Sequence, residues 1–214
     1  MSLSDYNKLE IDNLPNRLTL FRILLVPFVI GSLSLCLFQE TWVRDYQTTL
    51  EWIAGITFTI AAITDFIDGY IARKRNIVTV FGSFLDPIAD KFLTVSALIM
   101  LQALNRVHAI IVIILVLREI YITSLRLLAS AEGLSVPVNS IGKWKTVTQM
   151  IGIPLLMIST DPWGIPFLFL GKIFIYLASF LSLYSSVVYS IGLMRKVNLM
   201  KMQHKESKKN QTII

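Results

Sequence analysis

Residues 64–92 read TDFIDGYIARKRNIVTVFGSFLDPIADKF, a stretch that decides the fold because it sets four aspartates in otherwise apolar sequence. An aspartate at the centre of a membrane helix costs roughly 2.5–3.5 kcal/mol on insertion scales. Four unpaired aspartates cost on the order of 10 kcal/mol, a loss that a marginally stable fold cannot absorb. We therefore expect a cationic group to face Asp65, Asp68, Asp86 and Asp90.

The composition of the whole chain is typical of a polytopic membrane protein. Of its 214 residues, 54% are hydrophobic and only 16% are charged, which argues against a soluble globular domain. Apolar stretches near the ~20 residues needed to cross a bilayer recur along the chain. We predict an all-α polytopic membrane protein with six transmembrane helices, near residues 17–38, 50–73, 86–104, 107–130, 143–160 and 165–194.

The predicted domain organisation has three parts. Residues 1–16 form an N-terminal interfacial segment, and residues 17–196 form the six-helix transmembrane domain. Residues 197–214 form a basic tail that we expect to be disordered. The chain carries a net charge of +6, and its Lys and Arg crowd this end without interleaved aromatic residues. We therefore expect the tail to contact anionic membrane lipids rather than nucleic acid.

The distribution of basic residues predicts the orientation in the membrane. If both termini lie on one side, the opposite side receives only Arg44 and Arg106. The positive-inside rule then places both termini in the cytoplasm. The four aspartates lie near the end of the second span and the start of the third, so they belong to the cytoplasmic side as well. The basic residues of that side include Lys8, Arg17, Arg73, Lys74, Arg75, Lys143 and Lys145.

The spacing of the aspartates favours a metal site. Asp65 and Asp68 are three residues apart and Asp86 and Asp90 are four apart, so each pair shares a face of its helix. A short basic segment joins the two spans, which makes them antiparallel neighbours whose carboxylates can converge. Oxygen ligands without His or Cys favour hard ions such as Mg2+ or Mn2+. Two such ions fit four carboxylates and suit phosphoryl transfer.

Two other interpretations of the aspartates stay open. Asp65 or Asp68 can form an ordinary ion pair with Arg73, and Asp90 can pair with its neighbour Lys91. A cation-conducting pore also needs acidic residues inside the membrane.

The aspartates belong to a longer pattern, Asp65-x2-Asp68-Gly69-x2-Ala72-Arg73-x8-Gly82-x3-Asp86-x3-Asp90. This pattern resembles the signature of the CDP-alcohol phosphotransferase family, whose fold is six transmembrane helices, usually as a homodimer. The resemblance implies that the four aspartates bind two divalent metal ions, Mg2+ or Mn2+, with Asp90 also serving as general base. It further implies that an alcohol hydroxyl attacks the β-phosphorus of a CDP-linked lipid and releases CMP. The CDP part is then contacted or bordered by Asp65, Asp68, Gly69, Ala72, Arg73, Thr79 and Gly82.

Four later basic residues predict a second anion site. Arg118 and Arg126 lie eight residues apart on the fourth predicted span, and Lys143 and Lys145 open the fifth. Four cations that converge on one cytoplasmic cavity indicate a phosphorylated, soluble acceptor rather than a free alcohol. For Arg118 the alternative is a simple ion pair with Glu119.

Three further stretches resemble one branch of the same family. They are NLPNRLTLFRILLVP, REIYITSLRLLASAEG and GKWKTVTQ, in that order along the chain. The resemblance implies CDP-diacylglycerol as donor and sn-glycerol 3-phosphate as acceptor, in the cytoplasmic membrane of a bacterium, with Arg118, Arg126, Lys143 and Lys145 on the acceptor phosphate.

The same resemblance leaves some alternatives open. Asn16, Thr19 and Arg22 are expected near the CDP pocket, with a place at the lipid interface as the alternative for Arg22. Phosphatidylglycerol or inositol phosphate is the alternative acceptor within the family. A divalent-cation transporter is the alternative from another class of protein.

Overall fold

The computed structural model describes residues 14–38, 41–75, 80–131 and 140–211. Within these ranges the regular structure is entirely helical, as the sequence predicted, and each predicted span corresponds to one helix. A 3-10 turn, Pro162–Gly164, precedes the last helix. The helices are α1 (Leu14–Leu35), α2 (Thr41–Arg75), α3 (Val80–Ala103), α4 (Ala109–Ala131), α5 (Ser140–Met157) and α6 (Phe167–Gln211).

The helices have the length and apolar surface of membrane spans. In the described part of the chain, three are long and apolar enough to cross a bilayer: Arg17–Leu35, Val43–Ile67 and Phe167–Leu199. A shorter apolar helical segment covers Lys91–Ala103. Large apolar side chains such as Phe28 are exposed rather than buried, as expected for helices that face lipid. The protein is therefore an all-helical membrane protein, and the count of six spans stays a prediction.

The C-terminal tail differs from its expected disorder. Helix α6 continues without interruption to Gln211, so residues 197–211 have helical backbone. The physical reason lies in the composition, because no Gly or Pro follows Gly192 and Lys, Met, Gln and Leu are strong helix formers. High charge alone therefore does not break the helix. Residues 1–13, the greater part of the predicted interfacial segment, lie outside the described residues.

The described residues form two compact units, a division that the sequence did not predict. The first unit comprises Met1–Val112 and Gln149–Ile175, and the second comprises Ile113–Thr148 and Tyr176–Ile214. In the first unit, α1 packs against both α2 and α3. Helix α1 is thus the element that relates the two aspartate-bearing helices to each other.

A buried ion pair joins three parts of the first unit. Arg106, in the loop between α3 and α4, pairs with Glu51 of α2, and both side chains are less than a tenth exposed. Arg106 Nη1 also donates to the carbonyl oxygens of Leu156, at 2.8 Å, and Met157, at 2.5 Å. These are carbonyls of the last turn of α5, which have no partner within the helix. The guanidinium of Arg106 therefore caps the C-terminal end of α5 and neutralises the charge of Glu51 on α2.

The other oxygen of the Glu51 carboxylate is occupied as well. Glu51 Oε2 accepts hydrogen bonds from Ser159 N at 2.7 Å and Ser159 Oγ at 2.6 Å. Gln47 Nε2 donates to Glu51 Oε1 at 3.1 Å. The sequence predicted only a topological role for Arg106, whereas the structure makes it one half of a saturated polar network. Such a network is tolerated in an apolar environment because its members all have partners.

The second unit is built on the contact between α4 and α6. Tyr121 Oη lies 2.9 Å from Ser190 Oγ, and an apolar cluster follows further along both helices. Because later residues of α4 meet later residues of α6, the two helices run parallel. The buried members of the cluster are Ile122, Ala129, Tyr189 and Leu193, with Leu125 and Val197 packed against them.

We predict that Arg106→Met destabilises the protein by about 3–5 kcal/mol, because it leaves the Glu51 charge buried without its partner. Thermal unfolding of the detergent-solubilised protein measures the loss. Arg44→Met is the matched control, since Arg44 is an exposed arginine of the same unit, and it should leave the Tm within about a degree of wild type, as surface substitutions usually do. Equal Tm values for the two variants contradict the prediction.

Candidate active site

The aspartates lie where α2 ends and α3 begins. Asp65 and Asp68 are in the last three turns of α2, and Asp86 and Asp90 are in the first three turns of α3. Their backbone is helical, so the members of each pair are about one turn apart along their helix. This is the local arrangement that the sequence predicted from their spacing.

Helix α1 shows that these two helix ends lie at the same level. Ser34 Oγ, at the C-terminal end of α1, contacts Met100 Sδ near the end of α3, at 3.8 Å. Helices α1 and α3 therefore run parallel. From that contact, Arg22 lies roughly 18 Å back along α1 and Asp86 roughly 21 Å back along α3, at 1.5 Å per residue. Arg22 forms its ion pair with Asp65 of α2. Asp65 on α2 and Asp86 on α3 therefore lie at a similar depth.

The contact between Arg22 and Asp65 supplies the cationic partner that the energetics require. The Arg22 side chain is completely buried, and one of its guanidinium nitrogens forms an ion pair with Asp65 Oδ1. The structure thus rules out the lipid-interface position that was the alternative for Arg22. Thr19, about one turn earlier on α1, is also fully buried. Asp65 keeps 36% of its side-chain surface exposed, so Arg22 covers one side of the carboxylate only.

The remaining residues of the predicted donor and metal site are described only in part. Thr79 lies outside the described residues. For the other residues of this predicted site, the structure describes the helical backbone but not the side chains. Among the side chains that the structure does describe, no group of three or more His, Cys, Asp or Glu is arranged so that it could hold a metal ion. The metal-ligand set and its alternative pairings with Arg73 and Lys91 therefore stay predictions. The residues concerned are Asn16, Asp68, Gly69, Ala72, Arg73, Gly82, Asp86 and Asp90.

In the second unit, two of the four predicted acceptor-site cations meet at one carboxylate. Lys145 Nζ lies 2.6 Å from Glu119 Oε2, and Arg118 Nη1 lies 3.4 Å from the same oxygen. Lys145 is buried and Arg118 is about nine-tenths buried, whereas Glu119 is a quarter exposed. The alternative that paired Arg118 with Glu119 is thus observed, but the shorter and better contact of Glu119 is with Lys145.

Arg118 is bound more extensively to α6. Its Nε donates to Ser186 Oγ at 3.0 Å and to the carbonyl oxygen of Ser182 at 3.2 Å. Its Nη2 donates to Ser185 Oγ at 2.5 Å. None of these serines is among the predicted site residues. Their signal is nevertheless present, because serines recur at helical spacing along an apolar helix, which indicates a helix–helix contact.

The other two cations have different surroundings. Arg126 is exposed and lies over the ring of Tyr189, with its guanidinium carbon 5.7 Å from the ring centroid, a cation–π geometry. It is two turns beyond Arg118 on α4, a rise of roughly 12 Å. Lys143 is exposed and forms no ion pair with any residue that the structure describes. The structure therefore brings Arg118 and Lys145 together at Glu119, whereas Arg126 and Lys143 form no ion pair with this carboxylate among the described residues.

The fold and its charged groups define an all-helical membrane protein with an acidic helix end in one unit and a basic cluster in the other. A family model described as CDP-alcohol phosphatidyltransferase matches residues 12–184. The match covers most of the chain, including the complete aspartate pattern and all four basic residues. The chain belongs to the CDP-alcohol phosphatidyltransferase family.

Individual relatives also match most of the chain. A protein of Bacillus subtilis (strain 168) is 39% identical over 83% of this chain and 93% of its own length. A protein of Rickettsia felis is 35% identical over the same shares of the two chains. A protein of Arabidopsis thaliana is 36% identical over 88% of this chain and 81% of its own length. All three carry the name CDP-diacylglycerol–glycerol-3-phosphate 3-phosphatidyltransferase, with a final "2" for the Arabidopsis protein.

We predict that Arg22 and Asp65 are energetically coupled. Asp65→Ala leaves a fully buried guanidinium without this carboxylate and should cost about 3–5 kcal/mol. Adding Arg22→Leu should recover part of that loss, because the charge is then gone. Unfolding of the two single variants and the double variant gives the coupling energy, expected at about 1–3 kcal/mol. Asp45→Ala, at an exposed position of α2, is the control, and additive losses for the coupled pair are inconsistent with the ion pair.

Proposed function

We propose that this protein transfers the phosphatidyl group of CDP-diacylglycerol to sn-glycerol 3-phosphate, forming phosphatidylglycerophosphate and CMP. The observation that carries the proposal is the basic cluster around Glu119, which is separate in sequence from the aspartate pattern. A transferase with an uncharged acceptor needs one anion site for the donor diphosphate. A phosphorylated acceptor needs a second, and Arg118 and Lys145 supply buried cations for it. The names of the relatives support the same donor and acceptor.

The donor set fits a divalent metal site. Asp65 is paired with a buried arginine yet is about one-third exposed, so its carboxylate is held in position and remains accessible. Asp65, Asp68, Asp86 and Asp90 offer oxygen ligands only, the chemistry that Mg2+ and Mn2+ prefer. We assign these four residues to two metal ions. When bound, the ions supply positive charge to the donor's diphosphate.

Residues around the aspartates receive the CDP part of the donor. Gly69, Ala72 and Gly82 are small, and small residues on helices leave room for a flat base. Arg73 is a bidentate donor suited to a phosphate group. Thr79 borders the same part of the donor in this proposal.

The proposed reaction is a single displacement at phosphorus. Asp90 accepts the proton of the acceptor's attacking hydroxyl, whose oxygen forms a new bond to the β-phosphorus of CDP-diacylglycerol. The bond from that phosphorus to the bridging oxygen breaks, and CMP leaves with the electron pair. Arg118, Arg126, Lys143 and Lys145 hold the acceptor phosphate in place while this occurs, which lowers the entropic barrier to attack. Arg22 holds the Asp65 carboxylate in position through their ion pair.

We place the enzyme in the cytoplasmic membrane of a bacterium, with both termini and the active site facing the cytoplasm and with a homodimer as the assembled form. The excess of basic residues on one predicted side supports this orientation. It also gives the soluble acceptor direct access to the site from the compartment where phosphorylated metabolites are kept.

We predict that the purified protein releases CMP from CDP-diacylglycerol only when both sn-glycerol 3-phosphate and Mg2+ or Mn2+ are present. Chelation of the metal should abolish release, and metal should restore it. Asp90→Asn removes the base and should reduce the rate by at least about 100-fold. Equal turnover with phosphatidylglycerol or inositol phosphate overturns the acceptor assignment. Metal uptake into liposomes by wild type, lost in Asp90→Asn, favours the transporter alternative.

We predict that Lys143→Ala raises the KM for sn-glycerol 3-phosphate by roughly tenfold, the effect of losing one charge-assisted hydrogen bond, with little change in kcat. Lys143 is the informative position because it is exposed and its replacement disturbs no ion pair among the described residues. Lys172→Ala, at an exposed site of the same charge on α6, is the control. An unchanged acceptor KM in Lys143→Ala removes this residue from the site.

A further inference from the structure

Helix α6 presents a row of buried serines inside a largely apolar span. Within Phe167–Leu199, a candidate membrane span, Ser182 is completely buried and Ser185 and Ser186 are more than nine-tenths buried. Hydroxyl groups in such surroundings need hydrogen-bond partners, because neither lipid nor apolar side chains can supply them. For Ser185 and Ser186 the partner is the guanidinium of Arg118.

The geometry of that contact is directional. A guanidinium is a planar fork whose N–H groups point in fixed directions. Nε and Nη2, which form one edge of the fork, bind the two serine hydroxyls. Nη1, at the other end, faces Glu119 Oε2, the oxygen that also holds Lys145. Helix α6 therefore holds the Nε–Nη2 edge of Arg118 and directs Nη1 toward Glu119 and the basic cluster.

The hydroxyl of Ser186 is itself fixed in orientation. Its Oγ donates to the carbonyl oxygen of Ser182 at 2.8 Å, so its lone pairs are left to accept from Arg118 Nε at 3.0 Å. The Ser182 carbonyl oxygen in turn accepts a second bond from the same Nε, at 3.2 Å. Arg118 thus binds hydrogen-bond acceptors whose positions are already fixed. Its side chain loses rotamer freedom before any ligand binds.

We infer that Ser185 and Ser186 of α6 are positioning residues of the acceptor site, which act by orienting Arg118 toward the phosphate of the acceptor. The inference rests on the proposed function and extends it to a helix that carries none of the predicted site residues. The serines do not touch the acceptor. They determine how much of the binding energy of Arg118 is available to it, because an arginine that must first be ordered binds more weakly.

The test compares the full-length protein with its Ser185→Ala, Ser186→Ala and double variants in detergent micelles or reconstituted vesicles. The double variant should raise the KM for sn-glycerol 3-phosphate by about tenfold, the effect of losing about one charge-assisted hydrogen bond. Its kcat should stay within about threefold of wild type, and the KM for CDP-diacylglycerol should not change. Ser185→Thr retains a hydroxyl and should keep a near-normal acceptor KM.

Ser190→Ala is the matched control. Ser190 lies one turn beyond Ser186 on α6 and contacts α4 through Tyr121 Oη, so its loss breaks an α4–α6 hydrogen bond without touching Arg118. Both KM values should stay at wild type. The assignment is overturned if the acceptor KM of the double variant matches that of Ser190→Ala, or if kcat, both KM values and Tm all deteriorate together. A wild-type protein that releases no CMP with sn-glycerol 3-phosphate overturns the proposed function as well, so the two failures are distinguishable.

Discussion

A charge that leaves water for an apolar environment must find a partner, and the fold of this chain is organised by that constraint. Pairs that satisfy it across the chain include Arg22 with Asp65, Arg106 with Glu51, and Lys145 with Glu119. Each pair joins segments that are distant in sequence. Helices that face lipid gain little from contact with one another through hydrophobicity alone, since lipid tails are equally apolar. Polar contacts therefore contribute much of the specificity with which these helices select their neighbours.

The same constraint separates the chemistry of the two units. Acidic residues concentrate where α2 ends and α3 begins, whereas cations gather on α4 and α5 around a single glutamate. In the proposed reaction both substrates are anions, but they are bound by groups of opposite charge. A diphosphate can be bound through metal ions held by carboxylates, while a phosphate monoester is bound directly by arginine and lysine. Keeping the two sets of charges in different parts of the chain lets each be neutralised within its own unit.

Periodicity and spacing predicted the local features well. The six helices lie near the predicted stretches because apolar length and turn residues determine where a helix can run. The positions of the aspartates at two helix ends also follow from spacing. The partner of Arg22 does not follow from spacing, since nothing in the sequence around Arg22 indicates which helix this residue contacts. Likewise the serines of α6 are visible as a pattern, but only the packing of α4 against α6 identifies Arg118 as their partner. The helical backbone of residues 197–211 does not follow from the charge of this segment, which is typical of disorder, whereas its Lys, Met, Gln and Leu residues favour a helix.

The network around Glu51 also has a consequence for the order in which the chain is made. Glu51 emerges with α2, but its partner Ser159 lies 108 residues further on. At roughly 5–20 residues per second, that interval lasts about 5–20 s. During this interval the carboxylate of Glu51 on the nascent α2 lacks the hydrogen bonds that Ser159 donates in the finished protein. The network around Glu51 can be completed only after Arg106 and then Ser159 have left the ribosome, so the formation of this buried network is timed by translation.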